Sequence, residues 1–160
     1  MTVTPLPPPV APTLRHLFDL QVDVAPAIEV GDIGAGKRRI IPILGGTFAG
    51  PAARGEVLPG GADWQILRAD GTIELVARYA IRTHDGATIN VVNRGIRAGS
   101  PEVIARLTAG EAVDPSEYYF RTSPVFETGD PRYAALARTI CVATAQRKPG
   151  GVIIRAFAVE

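Results

Sequence analysis

The fold is decided by residues 63–97, which read DWQILRADGTIELVARYAIRTHDGATINVVNRGIR. Three runs rich in apolar and β-branched residues are separated there by two Asp-Gly pairs, Asp70-Gly71 and Asp85-Gly86. Asp-Gly favours a tight turn between antiparallel strands, because glycine adopts positive φ without steric cost. We therefore predict three antiparallel strands with both Asp-Gly pairs at hairpin tips. The turns explain both aspartates without a catalytic role.

The same alternation of strand-like runs and turn residues continues on both sides of this stretch, with 17 glycines and 14 prolines spread along the chain. The further strand-like runs are residues 14–24, 28–30, 38–44, 140–145 and 152–159. Only residues 100–109, which begin with Ser-Pro-Glu, and residues 131–137 have a helical pattern. Because a closed barrel leaves no strand edge exposed, we predict an all-β fold: a single antiparallel β-barrel of about 8–10 strands with one or two short helices.

Length and composition indicate one globular domain. The chain has 160 residues, of which 46% are hydrophobic and 21% charged, and its net charge is +1. So small a net charge predicts no attraction to nucleic acid or to an anionic membrane. Since no apolar run reaches the length of a membrane span and the first residues lack a signal-peptide pattern, we expect a cytoplasmic protein. We divide it into a Pro-rich arm, residues 1–12, and a β-barrel domain, residues 13–160.

The sequence lacks the usual motifs for cofactors and metals. Residues 31–38 resemble a phosphate-binding loop, but Arg38 stands where the motif requires Ser or Thr, and no helical pattern follows. One cysteine and two histidines are too few for a usual zinc site. Cys141 lies in an apolar run without a neighbouring base, so we expect it to be buried and unreactive. We predict no metal and no cofactor.

The two predicted hairpins place three polar side chains in one row. If both loops have two residues, Asp63 pairs with Arg78, and Arg78 pairs with Asn93 on the next strand. Directly paired residues share a face of the sheet, and a shift of one residue in either loop would break the row. If this row of side chains faces the barrel lumen, it would form a binding site. The opposite face, with Trp64 and Tyr79, is more apolar, which favours the alternative of a surface row that contributes little stability.

Longer motifs resemble those of a known family. They are PILGGTFAGP at 42–51, LPGGADW at 58–64, ARY at 77–79, THDG at 83–86, NRG at 93–95 and YFRTSPVFE at 119–127. From about Leu14 to the C-terminus, this combination resembles the bacterial and fungal family known as domain of unknown function 3237. The resemblance implies a compact β-barrel. The polar residues that fall inside these motifs are Asp63, Arg78, Asn93, Tyr119 and Arg121.

Two kinds of function remain open. The first is a small-molecule-binding barrel that acts as a cofactor-independent enzyme, guiding the isomerisation, cyclisation or elimination of a small organic substrate. Asp63 would then be the general base and Arg78 would orient a carboxylate or enolate. The ligand-binding candidates are Asn93, Tyr79, Tyr119, Arg121 and Trp64. The second is a ligand-binding or carrier protein that forms a homo-oligomer. The two functions differ in whether the Asp63 carboxyl is ion-paired. A general base should be unpaired, because an ion pair would lower the pKa of Asp63 and weaken it as a base, whereas a carboxylate that only recognises a ligand can be paired.

Overall fold

The structure, a computed structural model, describes residues 5–160 and contains ten strands, one α-helix and three single-turn 3₁₀ segments. The strands are β1 (Leu14–Val24), β2 (Ile28–Asp32), β3 (Lys37–Ala49), β4 (Arg54–Val57), β5 (Ala62–Leu67), β6 (Ile73–Thr83), β7 (Thr88–Gly99), β8 (Tyr118–Glu127), β9 (Cys141–Lys148) and β10 (Gly151–Val159). The helix is α1 (Pro101–Thr108), and the 3₁₀ segments are Pro115–Glu117, Pro131–Tyr133 and Leu136–Arg138.

All ten strands join one antiparallel sheet that closes on itself. Neighbouring strands follow the order β1, β10, β9, β8, β7 and β6. Strand β6 then pairs with β4 and β5, both of these pair with β3, and β3 returns to β1. The result is a closed eight-stranded barrel with two additional strands. The predicted all-β fold and antiparallel barrel are confirmed, while β4 and β8 are strands that the sequence patterns did not reveal.

Both Asp-Gly pairs lie at hairpin tips, but each loop has three residues instead of two. Backbone hydrogen bonds close the loops around residues 69–71 and 84–86. Gly71 has a φ of +85° and Gly86 a φ of +93°, whereas no non-glycine residue in the described part of the chain has positive φ. A two-residue type I′ turn needs positive φ at both central positions. Each aspartate keeps ordinary backbone angles, so the loop takes one more residue.

The longer loops change the pairing of the strands that they connect. Asp63 pairs with Ala77, and Ala77 pairs with Asn93. The predicted pairing of both residues with Arg78 is therefore wrong by one residue in each hairpin. Because successive residues of a strand face opposite sides of the sheet, this shift moves Arg78 to the outer surface.

Helix α1 begins at the predicted cap. The Ser100 side-chain oxygen accepts a hydrogen bond from the backbone N–H of Val103 at 3.2 Å, and Pro101 occupies the first turn. Val103, Ile104 and Leu107 form its buried face. The second predicted helix, residues 131–137, is instead a pair of 3₁₀ turns, since helix nucleation is unfavourable in so short a segment.

One end of the barrel is filled by aromatic and aliphatic side chains. Phe18 of β1 packs edge-on against Phe48 of β3 and Phe126 of β8, with ring centroids 5.2 and 5.5 Å away. The paired residues Ile81 and Ile89 are fully buried beside this cluster. Toward the other end the same strands direct smaller and polar side chains inward, which leaves room for a cavity.

Residues 5–12, which precede the barrel, have no regular secondary structure. Residues 1–4 of the predicted Pro-rich arm lie outside the described residues, and residues 5–12 are exposed. The barrel begins at Thr13, whose backbone forms hydrogen bonds of 2.7 and 2.8 Å with Glu160. In the described part of the chain, no helix combines the length and apolarity needed to cross a bilayer. The cytoplasmic location stays a prediction.

Cys141 is buried, as predicted, with 2% of its surface exposed. Burial raises the pKa of its thiol, which disfavours the reactive thiolate. We expect a thiol reagent such as dithionitrobenzoate to label the protein to completion only after guanidinium chloride unfolds it. Rapid labelling of the native protein would contradict this expectation.

Candidate functional site

A cavity of about 40 Å³ lies in the lumen and is lined by side chains from every strand except β2 and β4. Most of the lining is apolar, including Val22, Ile41, Ile43, Leu75, Phe120 and Ile154. The polar side chains around it are Asp63, Gln65, Tyr79, Asn93, Arg97, Thr122 and Arg147. An apolar lining with a few convergent polar groups is the usual pattern of a small-molecule site, but the volume is well below the roughly 300–1,000 Å³ of such sites, so an organic ligand must also occupy space outside this cavity.

A chain of hydrogen bonds positions the Asp63 carboxylate. Gln65 lies two residues further along β5 on the same face, and its Nε2 donates to Asp63 Oδ2 at 2.7 Å. Arg39, directly opposite Gln65 on β3, donates from Nε to Gln65 Oε1 at 2.9 Å. The bond from Arg39 fixes the amide orientation, so the Gln65 NH₂ group faces the carboxylate.

The Asp63 carboxyl group has an unusual electrostatic setting. It forms no salt bridge within the described residues, and its Oδ1 is shielded from solvent without a hydrogen-bond donor. Burial raises the pKa of Asp63, while the hydrogen bond from Gln65 and the charges of Arg97, Arg39 and Arg147 oppose the rise without cancelling it. Asp63 therefore holds a proton at higher pH than an exposed aspartate does.

Tyr79 and three other buried polar groups face the same cavity. Burial, with the nearby Asp63 charge, raises the pKa of Tyr79, so its phenol stays protonated. Asn93 Oδ1, Arg97 Nε and Thr122 Oγ1 are shielded from solvent and have no hydrogen-bond partner in the described part of the protein. Folded proteins satisfy nearly all buried polar groups. Unpaired polar atoms concentrated around one cavity therefore make it the candidate functional site.

Three of the predicted site residues, Asp63, Tyr79 and Asn93, line this cavity, and Arg78 does not. Arg78 pairs with Ala62 and Val92 and is exposed on the outer surface. The predicted lumenal row is thus wrong at its middle position, where Ala77 stands instead. Without Arg78, the carboxyl lacks the ion pair that would have made it a weaker base.

The other predicted ligand-binding residues also lie outside the barrel. Trp64 is 37% exposed and Tyr119 is 54% exposed. Arg121 is exposed beside Tyr119, with its guanidinium carbon 5.3 Å from the centre of the tyrosine ring. All three were selected because they belong to polar or aromatic motifs, and motif membership does not specify which face of a strand they occupy.

Sequence reasoning missed the basic side chains of the site. Arg97 could have been found, because alternate residues share a face and it lies four positions after Asn93 on β7. Gln65, two positions after Asp63, falls on the same face by the same alternation but was not among the predicted site residues. For Arg39 and Arg147 no local signal exists, since β3 and β9 lie outside the two predicted hairpins and the turn chemistry does not specify what they pair with.

The chain closely resembles a bacterial protein in sequence and fold. A UPF0311 protein of Rhodopseudomonas palustris is 47% identical over 145 residues, which are 89% of this chain and 95% of that protein. The crystal structure of a conserved protein of unknown function from the same species has a TM-score of 0.92 and 43% sequence identity. The structural match covers 95% of this chain and 100% of the chain in that crystal structure.

A more distant likeness connects the chain to a fungal enzyme. A hydroalkoxylation enzyme of Penicillium herquei is 37% identical over 83 residues, which are 52% of this chain and 55% of that protein. A crystal structure described as an enzyme from Penicillium herquei has a TM-score of 0.73 and 25% sequence identity. The structural match covers 96% of this chain and 98% of the fungal chain.

A sequence model of one protein family matches the chain across the whole barrel. Residues 12–159 match the family described as "Protein of unknown function (DUF3237)". The match spans every strand of the closed sheet, from β1 to β10. Together with the bacterial relative, it confirms the resemblance found in the motifs: the chain belongs to the DUF3237 family.

Proposed function

We propose that the protein is an enzyme that transfers a proton between Asp63 and a small organic substrate bound in the barrel. The supporting observation is a carboxyl group in a mostly apolar cavity, positioned by Gln65 and free of salt bridges to the described residues. Its pKa is raised by burial. A general acid or base works best when its pKa approaches the working pH. A carboxylate that served only for recognition would gain more from a direct ion pair.

The hydroalkoxylation enzyme of Penicillium herquei suggests the class of reaction. A hydroalkoxylation adds an O–H group across a C=C bond: oxygen bonds to one carbon, and the other carbon gains a proton. The reaction balances without an oxidant or reductant. When both groups belong to one molecule, the product is a cyclic isomer. Among isomerisation, cyclisation and elimination, we therefore favour cyclisation by this addition.

In this scheme Asp63 acts first as an acid and then as a base. The protonated carboxyl gives its proton to an alkene carbon. The substrate hydroxyl oxygen then bonds to the neighbouring cationic carbon, and the hydroxyl proton returns to the carboxylate. The unpaired oxygens of Asn93 and Thr122 are available to accept a hydrogen bond from that hydroxyl. The apolar walls exclude water, which would otherwise compete for the cation.

The proposal predicts turnover of simple model substrates. We expect the native protein, in deuterated buffer, to convert 2-hydroxy-3-prenylbenzoate into its cyclic 2,2-dimethylchroman isomer. Mass spectrometry and NMR should find one deuterium on the carbon next to the quaternary centre, because Asp63 exchanges its proton with solvent before transfer.

The matched control is Asp23→Asn, which alters an exposed aspartate on β1 and should leave the rate unchanged. Tight binding of the compound without cyclisation or deuterium incorporation would contradict the enzyme proposal. That result would favour the ligand-binding or carrier function.

A further inference from the structure

Three arginines converge where the lumen opens toward α1. Arg39 of β3, Arg97 of β7 and Arg147 of β9 line a recess of about 330 Å³ beside Leu107 and Thr108 of the helix. Arg97 and Arg147 also line the lumenal cavity that contains Asp63. The recess and the cavity are therefore adjacent, with the two arginines between them.

The described protein groups balance these positive charges only in part. The Asp63 charge favours the charged forms of Arg97 and Arg147, and Glu29 lies opposite Arg39 on β2. None of the three arginines forms a salt bridge within residues 5–160. The acidic residues that line the two spaces are Asp63, whose pKa is raised, and Glu29, which is exposed at the rim. Buried charges are normally paired.

Arg97 is the most constrained of the three. It is 2% exposed, its guanidinium carbon lies 5.3 Å from the centre of the Phe120 ring, and its Nε has no hydrogen-bond partner in the described residues. Burial and the like charges of Arg147 and Arg39 lower the pKa of Arg97 to about 10. Burial and Arg39 also lower the pKa of Arg147. Burial is the larger cause in both arginines and repulsion the smaller, and a nearby anion would oppose both effects by favouring the charged form.

We infer that Arg39, Arg97 and Arg147 bind the carboxylate of an organic ligand whose apolar part enters the lumen. Water can satisfy hydrogen bonds, but only an anion offsets the charges. Arginine presents a planar fork of donors that matches a carboxylate, and the apolar walls beyond it suit a hydrocarbon body rather than an inorganic ion. The carboxylate site stands independently of the proposed function. Only the claim that the bound ligand is the substrate rests on that function, and the substrate is then a small organic acid.

Binding of the anion should also change the protonation of Asp63. The groups that act on the carboxyl are Gln65, the three arginines and, on the neighbouring strand, Tyr79. The arginine charges favour the ionised carboxylate. A bound carboxylate offsets them, so binding should favour the protonated form that the proposed first step requires.

The binding site can be tested with benzoate, neutral benzamide and inorganic phosphate as probes. We expect benzoate to bind in calorimetry and to raise the melting temperature, with benzamide and phosphate giving weaker effects. Arg97→Met, which keeps the side-chain bulk and removes the charge, should weaken benzoate binding about 10- to 100-fold. Arg94→Met changes an exposed arginine on the same strand and should leave it unchanged.

Two further measurements sharpen the test. If Arg97→Met does not fold, Arg147→Met supplies the same comparison from a half-buried position. Calorimetry in buffers of different ionisation enthalpy should detect proton uptake when benzoate binds the native protein, and none with Asp63→Asn. Equal binding of benzamide and benzoate, stronger binding of phosphate, or unchanged benzoate affinity in the folded arginine variants would overturn the inference.

The outcomes separate this inference from the proposed function. Arginine-dependent binding of benzoate together with no turnover of the prenylated substrate supports the carboxylate site and rejects the enzyme. Equal turnover of 2-prenylphenol and 2-hydroxy-3-prenylbenzoate supports the enzyme and overturns the carboxylate site, because the two compounds differ only in the carboxylate.

Discussion

Replacement of Asp63 by asparagine is expected to lower the rate of cyclisation by a factor of about 10²–10⁴, the usual contribution of a general acid or base. The variant keeps the volume of the side chain and retains an oxygen that can accept the Gln65 hydrogen bond, which is 2.7 Å long in the native protein. It loses the ionisable carboxyl proton, because a carboxamide neither gives up nor takes a proton near neutral pH. Rates are to be compared with the native protein and with Asp23→Asn at the same pH.

The same substitution should not destabilise the barrel at neutral pH. Burial raises the pKa of Asp63 in the folded protein above the value in the unfolded chain, near 3.9. The folded state therefore binds the proton more tightly, and this group's contribution to stability falls as pH rises from about 4 through the raised pKa. Above that window the native barrel carries a desolvated carboxylate that Asp63→Asn lacks.

Melting curves between pH 4 and pH 8 measure this difference. The melting temperature of Asp63→Asn, relative to that of the native protein, should increase with pH across the window. Full activity in the variant would reject Asp63 as the proton-transfer group. A native protein that gains stability over the variant as pH rises would instead mean that the arginines stabilise the ionised carboxylate.

Local turn chemistry predicted the hairpins but could not fix their register. The Asp-Gly pairs identify both tips, because glycine readily adopts positive φ. If the preceding aspartate also adopts positive φ, the loop has two residues; if it does not, the loop has three. The sequence around each Asp-Gly pair is compatible with both loop lengths. One backbone angle at each tip therefore decides which residues of β6 share a face of the sheet with Asp63 and Asn93.

Asp63 and Asn93 share the lumen although the predicted register was wrong. Both outer strands of the three-stranded unit shift by one residue in the same direction relative to β6. The two errors cancel between β5 and β7, so the outer residues still lie opposite one another. Only the residue between them changes, from Arg78 to Ala77.

Barrel closure brings the arginine site together, which is why the sequence did not predict it. Arg39 and Arg147 are 108 positions apart in the chain (147 − 39) and lie on strands that do not pair with each other. Short-range patterns report on turns and on alternation within a strand. Which residues face one another across a lumen depends on long-range pairing around the whole barrel.

The aromatic end of the barrel is expected to provide a large share of its stability. Phe18 is fully buried and contacts both Phe48 and Phe126, so it joins β1, β3 and β8 across the interior. Phe18→Ala should lower the free energy of unfolding by about 3–5 kcal/mol, through lost burial and the cavity left behind. For a domain of this size, that corresponds to a fall in melting temperature of roughly 6–20 °C.

Phe157→Ala is the matched control. Phe157 lies on the outer face of β10, half-buried beside His16 at a ring distance of 5.9 Å, so its removal should lower stability by a smaller amount. Urea unfolding of the two variants measures both changes, with equal losses contradicting the assigned role of the cluster. Because Phe18 is at the opposite end of the lumen from Asp63, folded Phe18→Ala well below its melting temperature should bind benzoate with native affinity. The aromatic end is thus assigned to stability, and the polar end to the proposed binding and proton transfer.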